Sequence, residues 1–528
     1  MWDQPYLPVG HSLALSAICA SVPIIVLLIS LGVLRLAAWK SGLIGLAAAI
    51  LVAAFVYRMP APLLLNATAY GAAFGLLPIA WIVFWAVALY RLTVETGQFE
   101  IIKESMGRLT QDRRLQALLI AFAFGAFIEG AAGFGTPVAV AAAMLTGLGF
   151  TPFYAAAICL VANTAPVAFG AIGTPLVTLA GVTNLPLDVL SAEVGRICAP
   201  VSLFIPAYLM LVMGGPKALR AVWPGALVCG VCFAGTQYWV SNHIGPYLTD
   251  ILASLATILG LVVLLRVWRP ADAPVVAKQT PIPSGVLFKE WSPYILLVIF
   301  VLLWGYPPVK ALLDKVTISF AWPGLDSQIQ RLPPVVRAAA PYAAKFNFNF
   351  LSASGTSALF ATVCAAIVLR VSIAQFFSIV GRTARALALP ILTIVTVLAL
   401  AYVMNYSGAT ATLGLAFAAT GVLFPFFSAV LGWLGVFLTG SDTSSNALFG
   451  NLQVVTADTL NLSPELMAAS NSSGGVMGKM ISLQSISVAA AATGMAAADE
   501  AKLFRFTLKH SIFLACVIGL VVTLYAYV

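Results

Sequence analysis

Ten helix-length apolar runs, near residues 11–33, 41–57, 74–93, 197–213, 222–240, 251–265, 293–306, 346–369, 387–404 and 510–528, leave this chain almost no way to fold in water. About 30 Å of hydrocarbon takes close to 20 apolar residues of helix, with allowance for tilt, so each run reads as a membrane crossing. Composition agrees: 61% of the 528 residues are hydrophobic and 9% are charged, against about 25% charged in soluble domains. The net charge of +9 does not point to nucleic acid, because the 27 Lys and Arg are scattered in short loops, where they act as topology determinants. The seven cysteines lie within apolar runs and read as small hydrophobes. Cys229 and Cys232 have CxxC spacing but no second pair, so no metal site and no cofactor is expected. The first run is too long for a signal-peptide core and lacks a basic leader, so it reads as a retained span.

Two regions, about 115–181 and 421–497, break this pattern with glycine, proline and polar residues, and they match each other. YRLTVETG (Tyr90 to Gly97) pairs with YVMNYSG (Tyr402 to Gly408), FIEG (Phe127 to Gly130) with FLTG (Phe437 to Gly440), and ANTAPVAFG (Ala162 to Gly170) with SNSSGGVMG (Ser470 to Gly478). The offset stays between 308 and 312 residues, which predicts an internal duplication.

Charge indicates how the copies are oriented. Segment 97–114 carries Lys103, Arg108, Arg113 and Arg114, whereas its counterpart 408–431 has no basic residue. Segment 370–385 carries Arg370, Arg382 and Arg385, and its counterpart 59–74 has none. Equivalent loops then lie on opposite sides, so the repeats are expected to be inverted. The expected fold is an all-α polytopic membrane protein of about 12 transmembrane helices plus two re-entrant hairpins, in two inverted-topology repeats with elevator-like motion. Residues 1–40 supply an N-terminal helix, and 41–213 form the first repeat with hairpin 115–150 and broken helix 153–181. Residues 214–345 are connecting helices and an external loop. Residues 346–528 form the second repeat with hairpin 421–457 and broken helix 465–497. Both termini fall outside the cytoplasm and the basic loop 266–289 inside. One loop disagrees: 306–345 is expected outside yet carries Lys310, Lys315, Arg331, Arg337 and Lys345.

The polar residues of the breaks are the candidate site. In FIEGAAGFGTP (Phe127 to Pro137) the glycines and the proline interrupt a helix, exposing backbone groups that suit a small anion. Glu129 there is either a proton carrier or a structural partner for a basic residue. ANTAP places Asn163 and Thr164 before a proline, and Asn471, Ser472, Ser473 and Gly474 occupy the corresponding place in the second copy. The second hairpin tip, GSDTSSN (Gly440 to Asn446), adds Ser441, Ser444 and Asp442. Lys479 either neutralises Asp442 or meets a substrate carboxylate. No GxxxxGK[ST] motif is present, so a downhill ion rather than ATP must drive any accumulation. An intramembrane enzyme would need a nucleophile with a base, but His11, His243 and His510 lie away from both polar breaks. A passive channel is disfavoured by two central acids.

FIEGAAGFGTP, NTAPVAFGAIGTP (Asn163 to Pro175), GWLGVFLTGSDTSSNALF (Gly432 to Phe449), SGGVMGKMIS (Ser473 to Ser482) and FRFTLKHS (Phe504 to Ser511) are similar to runs of the L-lactate permease family of bacterial carriers. The resemblance extends over nearly the whole chain. It departs in small ways: Ser470 stands where alanine is expected, and Ser472 and Ser473 where threonines are common. It implies a secondary transporter in the bacterial inner membrane that carries small 2-hydroxymonocarboxylates, with protons, as symport. L-lactate is the expected substrate, with D-lactate and glycolate as further ones. The rival is a sodium-coupled carboxylate or dicarboxylate carrier. The substrate carboxylate is expected on half-helix N–H groups and the hydroxyls of Thr164, Ser472 and Ser473, and its hydroxyl on Asn163 or Asn471. Glu129 or Asp442 would carry the proton. The expected partners are the hydroxy acid, the proton and membrane lipid.

Overall fold

The computed structural model describes residues 1–133, 135–272 and 283–528, and the side chains at 284, 497 and 498 are outside the description. Phe134 of the first hairpin tip and the middle of the basic loop 266–289 therefore lie outside the described residues. Among these residues, ten helices are long and apolar enough to cross a membrane, or up to twelve if two bent pairs each count as one span. Leu13–Gly32 opens on Ser12, whose side chain accepts from the Leu15 N–H and caps the helix. Leu187–His243 is two spans joined at Gly214 and Gly215, where Gly215 has φ +67°. Many large apolar side chains, Phe55, Leu65, Phe204 and Ile367 among them, are exposed on the outside of these helices. A lipid surround covers them, whereas water would drive association.

The run expected at 346–369 is shorter than a full crossing. Its helix is Ser354–Val368, and Lys345–Phe348 is instead a strand antiparallel to Ile318–Ala321. The cause is visible in KFNFNF, where polar and aromatic residues alternate with period two from Lys345 to Phe350. A second small sheet joins Trp2–Asp3, parallel, to Ile329–Arg331, which pairs antiparallel with Ala340–Pro341. These strands make a cap stitched to the helices beneath. Gln4 Nε2 donates to the Asn405 and Tyr406 carbonyls at 2.9 and 2.8 Å, and the Tyr70 hydroxyl donates to Lys345 O at 2.9 Å.

Two hairpins and two bent segments form the interior. Arg113–Ala131 and Thr136–Gly147 are the arms of the first hairpin, and Phe424–Thr439 and Asp442–Leu460 those of the second. In the second, Gln453 bonds the Ser428 carbonyl and Ser445 the Gly432 carbonyl. Partners that run opposite in number show that the arms are antiparallel. Pro152–Ala162 and Val167–Thr183 meet at 68°, and Pro464–Ile481 and Leu483–Thr493 at 42°. In the most apolar window of Arg113–Ala131, 94% of residues are buried, compared with 33% in Leu13–Gly32. Protein, not lipid, surrounds the first hairpin, so broken backbone is tolerable there.

Element order recurs along the chain. Ala61–Glu95 and Ile373–Ser407 are both 35 residues long, and each is followed by a left-handed glycine, Gly97 (φ +82°) or Gly408 (φ +93°). A short helix, a hairpin and a bent segment follow in both. Each bent segment starts with a proline, Pro152 or Pro464, behind a hydroxyl cap, Thr151 or Ser463.

Candidate functional site

At the second hairpin tip Gly440 takes φ +72°, which turns the chain back, and Ser441 accepts from the Ser444 N–H at 3.2 Å to cap the returning arm. Asp442 thus stands in a helical first turn, buried, where the positive end of the dipole suits an acid. Its Oδ2 accepts from the Ser472 hydroxyl at 2.5 Å and from Asn446 Nδ2 at 3.4 Å, whereas its Oδ1 is buried with no partner. A chain of amides continues behind it. Asn471 Nδ2 donates to Asn446 Oδ1 at 2.9 Å and Gln453 Nε2 to Asn471 Oδ1 at 3.1 Å. Asn446 Nδ2 also reaches the Pro175 carbonyl of the first bent segment at 3.1 Å. Asn471 and Ser472 are therefore engaged in an internal network.

The expected break at Asn471–Gly475 is not where the helix ends. Pro464–Gly478 is continuous, and the break falls at Lys479–Ile481. The glycines serve packing instead: a Cβ on Gly474 would stand 2.0 Å from the Ala429 carbonyl, and one on Gly432 1.9 Å from the Asn471 carbonyl. Lys479 does not pair with Asp442. Its Nζ donates to the Gly440 carbonyl at 2.6 Å, closing the end of Phe424–Thr439. No described carboxylate forms an ion pair with it.

The first half is far less satisfied. Glu129, in the last turn of Gly125–Ala131, is buried against Gly170, where a Cβ would lie 2.6 Å from its Oε1. Glu129 Oε2 has no hydrogen-bond partner, and neither has either amide atom of buried Asn163. Thr164 turns its hydroxyl back to the Val161 carbonyl at 2.8 Å. Then Ala171, Ile172 and Gly173 are all left-handed, with φ of +44°, +55° and +69°. For alanine and isoleucine this costs about 1–2 kcal/mol each, strain that packing must hold in place.

Sequence reasoning missed Asp250. It begins the plain helix Thr249–Val267, is 1% exposed, and neither carboxyl oxygen has a partner. It packs against Gly130, the residue after Glu129, since a Cβ on Gly130 would be 2.7 Å from Asp250 Cβ. Its signal was one of position, an acid at the edge of an apolar run, which reads as an ordinary first-turn residue.

These breaks surround a cavity of about 460 Å³. Glu129, Gly133, Gly170 and Ala171 line it from the first half, and Ser441, Asp442, Ser444 and Lys479 from the second. The start of Thr136–Gly147, of Asp442–Leu460 and of Leu483–Thr493 reaches it through Thr136, Asp442 and Gln484. Arg91, also unforeseen, adds a second cation, and Pro390 and Ile394 of Ile373–Ser407 form the facing wall. Of the expected residues, Asn163, Thr164, Asn471, Ser472, Ser473 and Gly474 are not among those lining it. Three helix starts and two cations can hold an anion, and two acids with unpartnered oxygens can take a proton or a cation.

A family model described as L-lactate permease matches residues 16–528. The chain belongs to the L-lactate permease family. It is 48% identical to the glycolate permease GlcA of Escherichia coli K12, over 100% of this chain and 98% of that one. It is 46% identical to the L-lactate permease of Bacillus subtilis 168, over 100% and 99%, and 44% identical to the L-lactate permease of E. coli K12, over 100% and 98%. Among solved structures, the Alcanivorax borkumensis YdaH transporter aligns over 88% of this chain and 87% of its own at 17% identity, with a TM-score of 0.44, too loose a likeness to assign anything. Family membership and the spans together make this permease a multi-pass protein of the bacterial inner membrane, a transporter and not an enzyme.

Proposed function

We propose that this permease carries L-lactate, and with it D-lactate and glycolate, by proton symport. The observation that carries the reading is the single cavity in which three helix starts and two cations face two acids with unpartnered oxygens. The carboxylate sits on the first-turn N–H groups of Asp442–Leu460 with Ser441 and Ser444 beside it, and Lys479 and Arg91 supply the counter-charge. Asn163 meets the substrate hydroxyl if the first hairpin shifts. Glu129 or Asp442 accepts the proton. An anion and a proton crossing together move no net charge, which avoids the cost of an ion in hydrocarbon. The names of the relatives above support the substrate class.

The recurring element order supports two inverted repeats, 41–213 and 346–528, with hairpins and bent segments moving against the other helices as an elevator. A sodium-coupled dicarboxylate carrier is the rival reading. Purified protein in liposomes tests both, with an imposed pH gradient, labelled L-lactate, competing 2-hydroxy acids, and sodium replaced or retained. Accumulation that follows the pH gradient and ignores sodium is expected. Glu129→Gln or Asp442→Asn abolishes it, and at least one of the two still exchanges lactate for lactate. If both variants accumulate normally, neither acid is the proton site; if uptake requires sodium, the rival stands.

A further inference from the structure

A second polar cavity, of about 450 Å³, lies under the cap. Arg331 and Lys345 line it from the cap strands, Asn405 from Ile373–Ser407, Asn184 from the end of the first bent segment, and Asn451 and Asp458 from the returning arm of the second hairpin. The Arg331 guanidinium is held 4.8 Å over the Tyr342 ring, which fixes the charge in place. Its Nε is nevertheless buried without a hydrogen-bond partner. Neither Arg331 nor Lys345 forms an ion pair with any described carboxylate. Asn451 Nδ2 donates to Asn405 Oδ1 at 3.2 Å and Asn405 Nδ2 to the Val182 carbonyl at 3.5 Å, which leaves Asn451 Oδ1 to meet a ligand.

The same elements line both cavities. Pro175 and Asp442 face the inner one, and Asn184 and Asp458 the outer one. Between Asp442 and Asp458 the arm rises about 24 Å at 1.5 Å per residue. The outer cavity is a second station on the scaffold that holds the first.

We propose that this cavity is a capture vestibule for a small hydroxycarboxylate. Arg331 and Lys345 take its carboxylate, and Asn451 Oδ1, its amide held in place by Asn405, accepts from its hydroxyl, before it passes to the inner cavity. The proposal rests on the reading of that inner cavity as the transport site. It also accounts for the cap's excess of positive charge, with Lys310, Lys315, Arg331, Arg337 and Lys345 in one external loop. Such charge conflicts with a topology signal, but in front of an anion carrier it raises the local concentration of substrate.

The test is lactate transport by the full-length protein in oriented liposomes, with initial rates taken from each face. Lys345 is a surface residue whose backbone carbonyl, not its ammonium, anchors Tyr70, so Lys345→Gln folds and keeps the test usable. For uptake from the cap face, Lys345→Gln raises KM about threefold, and Arg331→Gln with Lys345→Gln about tenfold. The cap-face maximal rate and the opposite-face KM stay at wild-type values, and the opposite-face maximal rate falls by the same factor, because detailed balance requires slower capture at the cap face to be matched by slower release there. Added salt raises the wild-type cap-face KM by a larger factor than that of the double variant, which keeps Lys310, Lys315 and Arg337. An unchanged cap-face KM overturns the vestibule, and so does an equal rise on both faces, which marks a structural role. Wild-type protein that carries no 2-hydroxy acid at all overturns instead the reading of the inner cavity.

Discussion

The two halves share an order of elements but are finished differently. In the first, Glu129, Asn163 and neighbouring Asp250 all hold unpartnered polar atoms, and the bend runs through three left-handed residues. In the second, Asp442, Asn446, Ser472, Asn471 and Gln453 bond one another in sequence, and the bend is gentler. Unmade bonds in a low-dielectric interior are expensive, whereas a fully connected network is rigid. The difference teaches that the first half leaves most of its polar groups free to gain bonds from a ligand or a proton, whereas the second presents one free site oxygen, Asp442 Oδ1, from a bonded frame.

Glycine substitutions give the largest contrast. Helical Gly474 gains about 1 kcal/mol in propensity on becoming alanine, but its Cβ would meet the Ala429 backbone at 2.0 Å. Helix separation then costs more than about 3 kcal/mol, and the clash wins. Gly474→Ala is expected to abolish folded protein, as read by size-exclusion chromatography and thermal unfolding in detergent. Gly170 has φ −62° and ψ 160°, which alanine tolerates, and the three atoms nearest its Cβ all belong to the Glu129 side chain, with no backbone among them. Gly170→Ala is expected to keep the fold and lose accumulation. Equal damage to the fold in both would erase the contrast.

Much of this was legible in the chain. The spans follow from the apolar runs, apart from 346–369, which gives only Ser354–Val368, and the turn at Gly440 follows from a glycine beside polar residues. SNSSGG misled because glycines that break a helix and glycines that let two helices touch look alike; the answer lay in Gly432, 42 residues before Gly474. Lys479 misled because a cation near an acid suggests a pair, whereas its reach to the Gly440 carbonyl depends on how the arms fold back. Asp250 and Arg91 were hidden because each lies in or beside a plain span, and only packing brings them to the breaks.

Lys479→Met tests the frame at intermediate size. It removes a charge-assisted bond to Gly440 O worth about 1.5–3 kcal/mol but also a buried cation's desolvation. A net loss near 1 kcal/mol is expected in denaturant titration, with a raised KM for lactate. A stabilised variant with normal KM would mean that Lys479 is neither a cap nor a substrate contact.

Asp250→Asn sharpens the first half. The two carboxyl oxygens have no partners to lose, so stability is expected to stay within about 1 kcal/mol of wild type or rise. Accumulation under a pH gradient is expected to fall, because the helix that carries Glu129 would lose the acid packed against its next residue, Gly130. Unchanged accumulation at every pH would make Asp250 a bystander.

The smallest effect separates two neighbours. Ser472 donates to Asp442 Oδ2 at 2.5 Å, whereas the buried hydroxyl of Ser473 has no partner. Ser472→Ala therefore removes the shorter of the two bonds to Asp442 Oδ2 and an acceptor of Asn446 Nδ2, and is expected to destabilise by about 1–2 kcal/mol. Ser473→Ala removes an oxygen whose one neighbour is the weakly bonding Cys198 thiol, so its stability is expected within about 0.5 kcal/mol of wild type. The two alanines remove the same atom from adjacent positions of one helix, so helix propensity cancels between them. If Ser473→Ala proves the more destabilising, the frame behind Asp442 depends on Ser473 rather than on Ser472, and its description as a network running through Ser472 fails at that residue.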